Sequence, residues 1–244
     1  MNAWVTCPKP NPQAILRLFC FPYAGSGSGI FRSWLNCLPI NVEICPIELP
    51  GRGMRLMEPP FTRISPLVEA IALSLLPYLN QPFACFGHSM GALISFELTR
   101  LLRDRYDRSP VHLFISGRRA PQIPDLDPPI HALPDPDFID KLRHLNGTPA
   151  AVLENDELMQ LLLPTLRADF AVLETYAYVP EPPLECPITT FGGLQDAEVS
   201  YKQLEAWRDQ TLATFSLQML PGNHFFIHSA QALLLEALAQ ALSQ

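Results

Sequence analysis

The chain has 244 residues, 48% apolar and 17% charged; this excludes wholesale disorder and suffices for a large core without disulfide or metal staples. Its formal net charge of −7 argues against an extended nucleic-acid footprint, because such proteins usually present a net basic face to the phosphates. Proline is abundant at 26 residues, and arginine outnumbers lysine 14 to 3. The opening sequence MNAWVTCPKPNPQ has no basic start followed by an apolar run, so no signal peptide is expected. No run of about 18 apolar residues reads as a membrane span. Cys7, Cys20, Cys37, Cys45, Cys85 and Cys186 are scattered without a C-x-x-C pair, so neither a disulfide scaffold nor a zinc site is expected, and a reducing cytoplasm is.

In chain order, Ile15–Phe21 reads as a strand, followed by a glycine-rich segment and a helix over Ile30–Leu38. Val42–Leu49 is a second strand, Ile64–Leu79 a helix, Phe83–Phe86 a third strand and Met90–Asp104 a helix. Val111–Ser116 is a fourth strand. Past Pro121 the pattern changes: Asp135–Leu145 and Asn155–Tyr178 read as helices among proline-laced loops, the second predicted to kink or split at Pro164. Pro187–Phe191 and Phe215–Leu220 restore the strands, and Phe225–Leu242 closes the chain as a helix. Several strands are apolar throughout, as strands buried on both faces should be. Their alternation with helices predicts an α/β fold with a mostly parallel sheet covered on both faces. Residues 1–120 and 188–244 would form the core, and 121–187 a helical, proline-rich lid inserted into it. That insertion holds 12 of the 26 prolines and 12 of the 24 carboxylates but three basic residues. Its net charge is therefore −9, which leaves the core near neutral at +2.

Gly87-His88-Ser89-Met90-Gly91 has the pattern G-x-S-x-G. Chance alone produces it often, but here it joins a predicted strand to a predicted helix, the setting of a nucleophile elbow. Ser89 is thus the candidate nucleophile. Its base should lie beyond the carboxyl end of a strand: His224, after Phe215–Leu220, fits, with His228 the alternative. His112 reads as a packed strand residue, His131 and His144 as surface groups, and His88 as a wall of the pocket. Asp196, after Pro187–Phe191, is the candidate acid and Glu198 the alternative. Ser89, Asp196 and His224 follow the nucleophile–acid–histidine order of α/β-hydrolases. The Met90 N–H should be one oxyanion donor. The loop Phe21-Pro22-Tyr23-Ala24-Gly25-Ser26-Gly27-Ser28-Gly29 should supply the other through Ala24, or else Tyr23. This loop lacks the G-K-[ST] ending of a phosphate cradle, and its glycine spacing is not the dinucleotide fingerprint.

The chain resembles the type II thioesterases, stand-alone α/β-hydrolases that accompany nonribosomal peptide and polyketide synthases. The resemblance rests on Phe21-Pro22-Tyr23-Ala24-Gly25, Glu48-Leu49-Pro50-Gly51-Arg52-Gly53, the elbow, Leu163-Pro164-Thr165-Leu166-Arg167-Ala168-Asp169-Phe170, Gly192-Gly193 with Asp196, and Gly222-Asn223-His224-Phe225-Phe226. It implies hydrolysis of acyl thioesters on the phosphopantetheine arm of acyl- or peptidyl-carrier domains, with no metal or bound cofactor, by a cytoplasmic monomer that edits stalled or mis-primed modules. It also implies that the 121–187 insertion is a mobile lid. Because such carriers are typically acidic, Arg52, Arg55, Arg118 and Arg119 are the candidate docking residues. A carboxylesterase or lipase would use the same triad, and a non-catalytic binding module would need to have lost it.

Overall fold

The computed structural model describes residues 4–7, 9–145 and 147–243; part of the N-terminal segment read for a signal peptide lies outside the described residues. Six strands, β1 (Leu16–Phe21), β2 (Val42–Pro46), β3 (Phe83–His88), β4 (His112–Ser116), β5 (Ile188–Gly193) and β6 (Phe215–Leu220), form one sheet in the order β2-β1-β3-β4-β5-β6. Every neighbouring pair is parallel. The order reverses direction beside β1, where β1 and β3 pair and Phe21 sits opposite Gly87. Such a switch point opens a crevice beyond the carboxyl ends of the strands.

Alternation along the strands divides the core in two. Phe19 and Phe21 of β1 face one layer, with Cys85 of β3, against α1 (Ile64–Leu75) and α2 (Met90–Tyr106). Leu18 and Cys20 face the other, with Phe86, Phe114 and Phe191. The elements added to that side are the 3-10 turns of Ser28–Asn36 and, near the end of the chain, α8 (Gln231–Leu242). Between β4 and β5 lie α3 (Asp135–Leu145), α4 (Ala150–Leu153) and α5 (Asp156–Glu174). These three share an apolar cluster of their own, centred on Phe138, Leu142, Met159, Leu163 and Leu166. The short helices α6 (Tyr201–Glu205) and α7 (Phe226–Ser229) complete the chain.

Four expected helices take different forms. Ile30–Leu38 is a run of 3-10 turns over Ser28–Asn36, where period 3 stacks Phe31 above Trp34 and buries both. The α-helix from Ile64 ends at Leu75 and passes into a 3-10 turn over Leu76–Tyr78, because Pro77 has no N–H to continue the α ladder. Phe225–Leu242 is broken at Ala230 into α7 and α8. Conversely, α5 is not split at Pro164. Its Asn155 cap accepts the Leu158 N–H at 3.0 Å, and Met159, Leu163 and Leu166, spaced i, i+4, i+7, bury on both sides of the proline. Burial of about 1.5–3 kcal/mol per such side chain offsets the roughly 3 kcal/mol that an interior proline costs.

Candidate active site

Strand β3 ends at His88 and α2 begins at Met90, so Ser89 makes the whole turn. It does so with φ 52° and ψ −110°, a backbone state that costs about 1–3 kcal/mol in a non-glycine residue. Its N–H is tied to the Ser116 carbonyl at 2.8 Å. A Cβ on Gly87 would strike the backbone of Gly91, and one on Gly91 would strike the Phe21 and Pro22 carbonyls. Glycines flank the serine because β1, β3 and α2 touch there through their backbones. Ser89 thus stands at the N-terminus of a 17-residue helix, where the dipole favours developing negative charge.

The loop after β6 delivers His224. Asn223 organises it, its Oδ1 accepting the Phe225 N–H at 2.9 Å and its carbonyl the Phe226 N–H at 3.0 Å. His224 Nδ1 lies 2.9 Å from Asp196 Oδ2. A proton on Nδ1 is required to bond a carboxylate, which leaves Nε2 as the acceptor nitrogen. Asp196 follows β5, its side chain wholly shielded from solvent, and Oδ1 accepts the N–H groups of Glu198 at 2.8 Å and Val199 at 3.1 Å. The carboxylate is therefore locked in orientation. Glu198, the alternative acid, is exposed and meets Asp196 only through its backbone. His228, the alternative base, has Nε2 3.0 Å from the Tyr23 hydroxyl.

The remaining histidines divide by environment. His112 stacks on Phe114 at 4.1 Å and bonds Thr189 Oγ1, as a packed strand residue should. His144 is exposed and bonds the Asp140 carbonyl. His131 is not a surface group: it is half-buried, with Nδ1 2.5 Å from Glu174 Oε2. His88 is fully buried beside His224, with ring centroids 5.3 Å apart and Nδ1 2.8 Å from Ser116 Oγ. Burial first, and then the neighbouring His224 and His228, hold it well below the ordinary histidine range, so it stays neutral.

Ser89, His224 and Ala24 line one cavity of about 470 Å³. Its far wall comes from the 121–187 segment, notably Leu133, Leu142, Leu166 and Phe170. Among the described residues no backbone acceptor engages the N–H of Met90 or of Ala24. Tyr23, the other candidate donor, packs its ring edge-on against His88 and Phe225.

The four arginines expected to receive a partner do not form an open basic patch. Arg52 is buried in a two-pronged ion pair with Asp169, at 2.8 and 2.7 Å. Arg55 is buried too, held by Glu58 and the Glu48 carbonyl, with its guanidinium 3.9 Å from the Trp4 ring centre. Arg119 pairs with Asp125. Arg118 lines the cavity, where burial, and then the adjacent Arg119, push its pKa down to about 10. Asp169 and Asp125, like the Glu181 that pairs with Arg100 and Arg103, belong to the acidic 121–187 segment. Core arginines therefore neutralise part of that segment internally.

No helix among the described residues is long and apolar enough to cross a membrane. The metal-capable group found among them, Cys7, Glu43 and Cys45, does not line the cavity. The residues missed by sequence reasoning are Glu48 and Asp169, which hydrogen-bond to the glycine loop, and Ser116, which bonds to His88 and to the Ser89 N–H. The first two lay inside the quoted family segments and could have been flagged there.

Comparison with known proteins adds four findings. The family model for the thioesterase domain matches residues 16–243. The gramicidin S biosynthesis protein GrsT of Aneurinibacillus migulanus is 50% identical over 242 residues, covering 99% of this chain and 94% of that protein. The protein named linear gramicidin dehydrogenase LgrE, of Brevibacillus parabrevis, is 49% identical over 244 residues, with 99% and 93% covered. Among solved structures, the type II thioesterase BorB from the borrelidin biosynthetic cluster superposes with a TM-score of 0.89 at 32% identity, covering 98% of this chain and 97% of BorB.

Proposed function

The chain belongs to the thioesterase family, and on that premise we propose that it is a stand-alone type II enzyme clearing acyl groups from the phosphopantetheine arm of acyl- or peptidyl-carrier domains. The observation that carries the reading is the 2.9 Å bond between His224 Nδ1 and the shielded Asp196 carboxylate, at one cavity with the strained elbow Ser89. Its role would be to edit stalled or mis-primed synthase modules in the cytoplasm, acting as a monomer.

In this reading His224 Nε2 takes the proton of Ser89 as Oγ attacks the thioester carbonyl, and Asp196 stabilises the imidazolium. The Met90 and Ala24 amides bind the oxyanion, each worth about 3–4 kcal/mol to the transition state. The thiol of the arm departs with the proton from His224, and a water then releases the acyl group from Ser89. No step calls on a metal or bound cofactor. The segment 121–187 serves as the lid, its apolar wall of Leu142, Leu166 and Phe170 receiving the acyl chain. The dehydrogenase in one relative's name finds no counterpart here: the glycines at 25, 27 and 29 lack the dinucleotide spacing.

The test sets acyl-loaded carrier protein beside a free p-nitrophenyl ester, with Ser89→Ala as the control. Preferential deacylation of the carrier supports the reading. Efficient cleavage of the free ester with the carrier untouched identifies a carboxylesterase instead. Full activity in Ser89→Ala overturns the mechanism.

A further inference from the structure

The segments around Arg52 and Asp169 carry none of the reacting groups, yet they converge on the glycine loop. Residues Tyr23 to Ser26 form a tight turn closed by the Ser26 N–H to the Tyr23 carbonyl at 3.1 Å. Gly25, its third residue, has φ +77°, the value that a type II turn requires there. The central peptide of such a turn, Ala24–Gly25, relaxes readily by flipping over, since the type I turn needs no positive φ. Here the flip is blocked. The Gly25 N–H donates to Asp169 Oδ2 at 2.7 Å, and the same oxygen receives the Arg52 guanidinium at 2.8 Å. Arg52 also donates to the Ser26 carbonyl at 2.9 Å. On the far side of the loop, Glu48 accepts the Ser28 hydroxyl at 2.6 Å and the Ser28 N–H at 3.3 Å. Leu166, one turn before Asp169 on α5, packs so closely that a Cβ on Gly25 would meet it at 2.5 Å.

We propose that the buried Asp169–Arg52 pair is a positioning device for the oxyanion hole: by holding the Gly25 N–H and, through Arg52, the Ser26 carbonyl, it anchors the turn whose second residue presents the Ala24 N–H. The proposal rests on Ala24 as oxyanion donor and Ser89 as nucleophile. It gives α5 a second task, because a helix that walls the substrate cavity also sets the catalytic turn. Any displacement of α5 withdraws the carboxylate and releases the turn that carries the Ala24 N–H.

The experiment compares Asp169→Ala, Asp169→Asn and wild type, with active sites counted by exhaustive fluorophosphonate labelling so that misfolded protein is excluded. Three quantities are read: kcat per site, KM, and inhibition by a trifluoromethyl ketone analogue of the acyl thioester, whose adduct mimics the oxyanion. In Asp169→Ala, kcat per site should fall by about tenfold or more, and analogue affinity by a similar factor, with KM little changed. Asp169→Asn, which keeps an acceptor but loses the ion pair, should fall between; it carries the test if the alanine variant does not fold. A merely structural pair lowers thermal stability while leaving per-site kcat and analogue affinity within about twofold, and that result overturns the proposal. Failure of the underlying reading looks different: Ser89→Ala would then remain active.

A second observation stands apart from the site. Val5 bridges Ile47 in antiparallel fashion, the Thr6 N–H donates to the Pro46 carbonyl at 2.9 Å, and the Glu48 N–H to the Trp4 carbonyl at 2.9 Å. That register sets Cys7 opposite Cys45, with the two sulfurs 3.4 Å apart. Directly opposed antiparallel residues have the Cα separation that a disulfide spans. The adjacent Glu43 carboxylate is engaged by Arg17 Nε at 3.0 Å and the Asn11 N–H at 3.1 Å, which disfavours it as a third metal ligand. We infer that Cys7 and Cys45 are an oxidisable dithiol that a hydroperoxide closes into a disulfide, pinning the N-terminal segment to β2. The half-buried Cys7, acidified by its hydrogen bond with Cys45, attacks the peroxide; an S–O bond forms as O–O breaks, and water or an alcohol leaves. The Cys45 sulfur then displaces the hydroxyl as water. The two sulfurs together give up the two electrons that the peroxide gains, and both thiol protons end in the products. Peptide mapping after mild peroxide treatment should find a 7–45 cross-link, reversed by dithiothreitol and absent in Cys7→Ser. Cys45 recovered fully reduced overturns the inference, as does one zinc bound per native chain and lost in Cys7→Ser.

Discussion

Replacing Asp196 by Asn changes one atom of a shielded side chain. Its Oδ1 can still accept the Glu198 and Val199 N–H groups at 2.8 and 3.1 Å, so the side chain stays in place. The NH2 group then points at His224 Nδ1, 2.9 Å away, and a donor there forces the proton onto Nε2. The imidazole is then in the wrong tautomer to accept the Ser89 proton, and the imidazolium loses its counter-charge. In serine enzymes with this arrangement the cost is about 10⁴ in kcat, equivalent to roughly 5.4 kcal/mol of barrier. Release of the arm's thiol, followed with a disulfide indicator, should show a loss of about 10³–10⁴-fold at pH 7.5, with the circular dichroism spectrum unchanged. Glu198→Gln should stay within about threefold of wild type, because only its backbone meets the carboxylate. Retention of more than a tenth of wild-type activity in Asp196→Asn would refute the assignment.

Two further outcomes are expected. Gly91→Ala places a methyl group against the Phe21 and Pro22 carbonyls and should yield no soluble folded protein, whereas Gly29→Ala, with nothing within 4 Å of its Cβ, should melt within about 1 kcal/mol of wild type; comparable melting temperatures for the two would contradict the close-packed elbow. His88 and His112 are kept neutral by burial, His112 with its pKa lowered to about 4. The unfolded chain binds protons near pH 6.5 and the folded chain only below that, so stability is full above pH 6.5 and falls as pH drops toward 4, by at most about 1.4 kcal/mol per pH unit for each group. Thermal melts between pH 7 and 5 should show this slope, and His112→Gln should flatten it; an unchanged slope would sink the explanation.

Much of this was legible because local and tertiary demands coincide. Phe215–Leu220 and Asp135–Leu145 lie where the sequence patterns put them. The elbow was legible because strand, glycine, serine, glycine and helix are contiguous in sequence. The misses share a cause, since long-range packing decided them. Pro164 argues for a break, yet apolar residues on both sides of it feed one cluster and carry the helix through. Arg52 reads as a docking residue because its partner, Asp169 at 117 residues' distance, is invisible from local sequence, and Arg55 does so because the Trp4 ring it stacks on is likewise remote in sequence. Cys7 and Cys45 are 38 residues apart, so only the pairing of the N-terminal segment with β2 brings them together.

The central claim, that Ser89 carries the acyl group released from a carrier, has a direct measurement. Wild-type protein is mixed with acyl-loaded carrier, quenched in acid within milliseconds, digested and mapped by mass spectrometry. The peptide containing Gly87-His88-Ser89-Met90-Gly91 should carry the acyl mass transiently, at a level that rises and decays as free acid appears, and Ser89→Ala should show neither adduct nor acid. Release of free acid with no acyl group ever found on Ser89, or an adduct on another residue, would contradict the account.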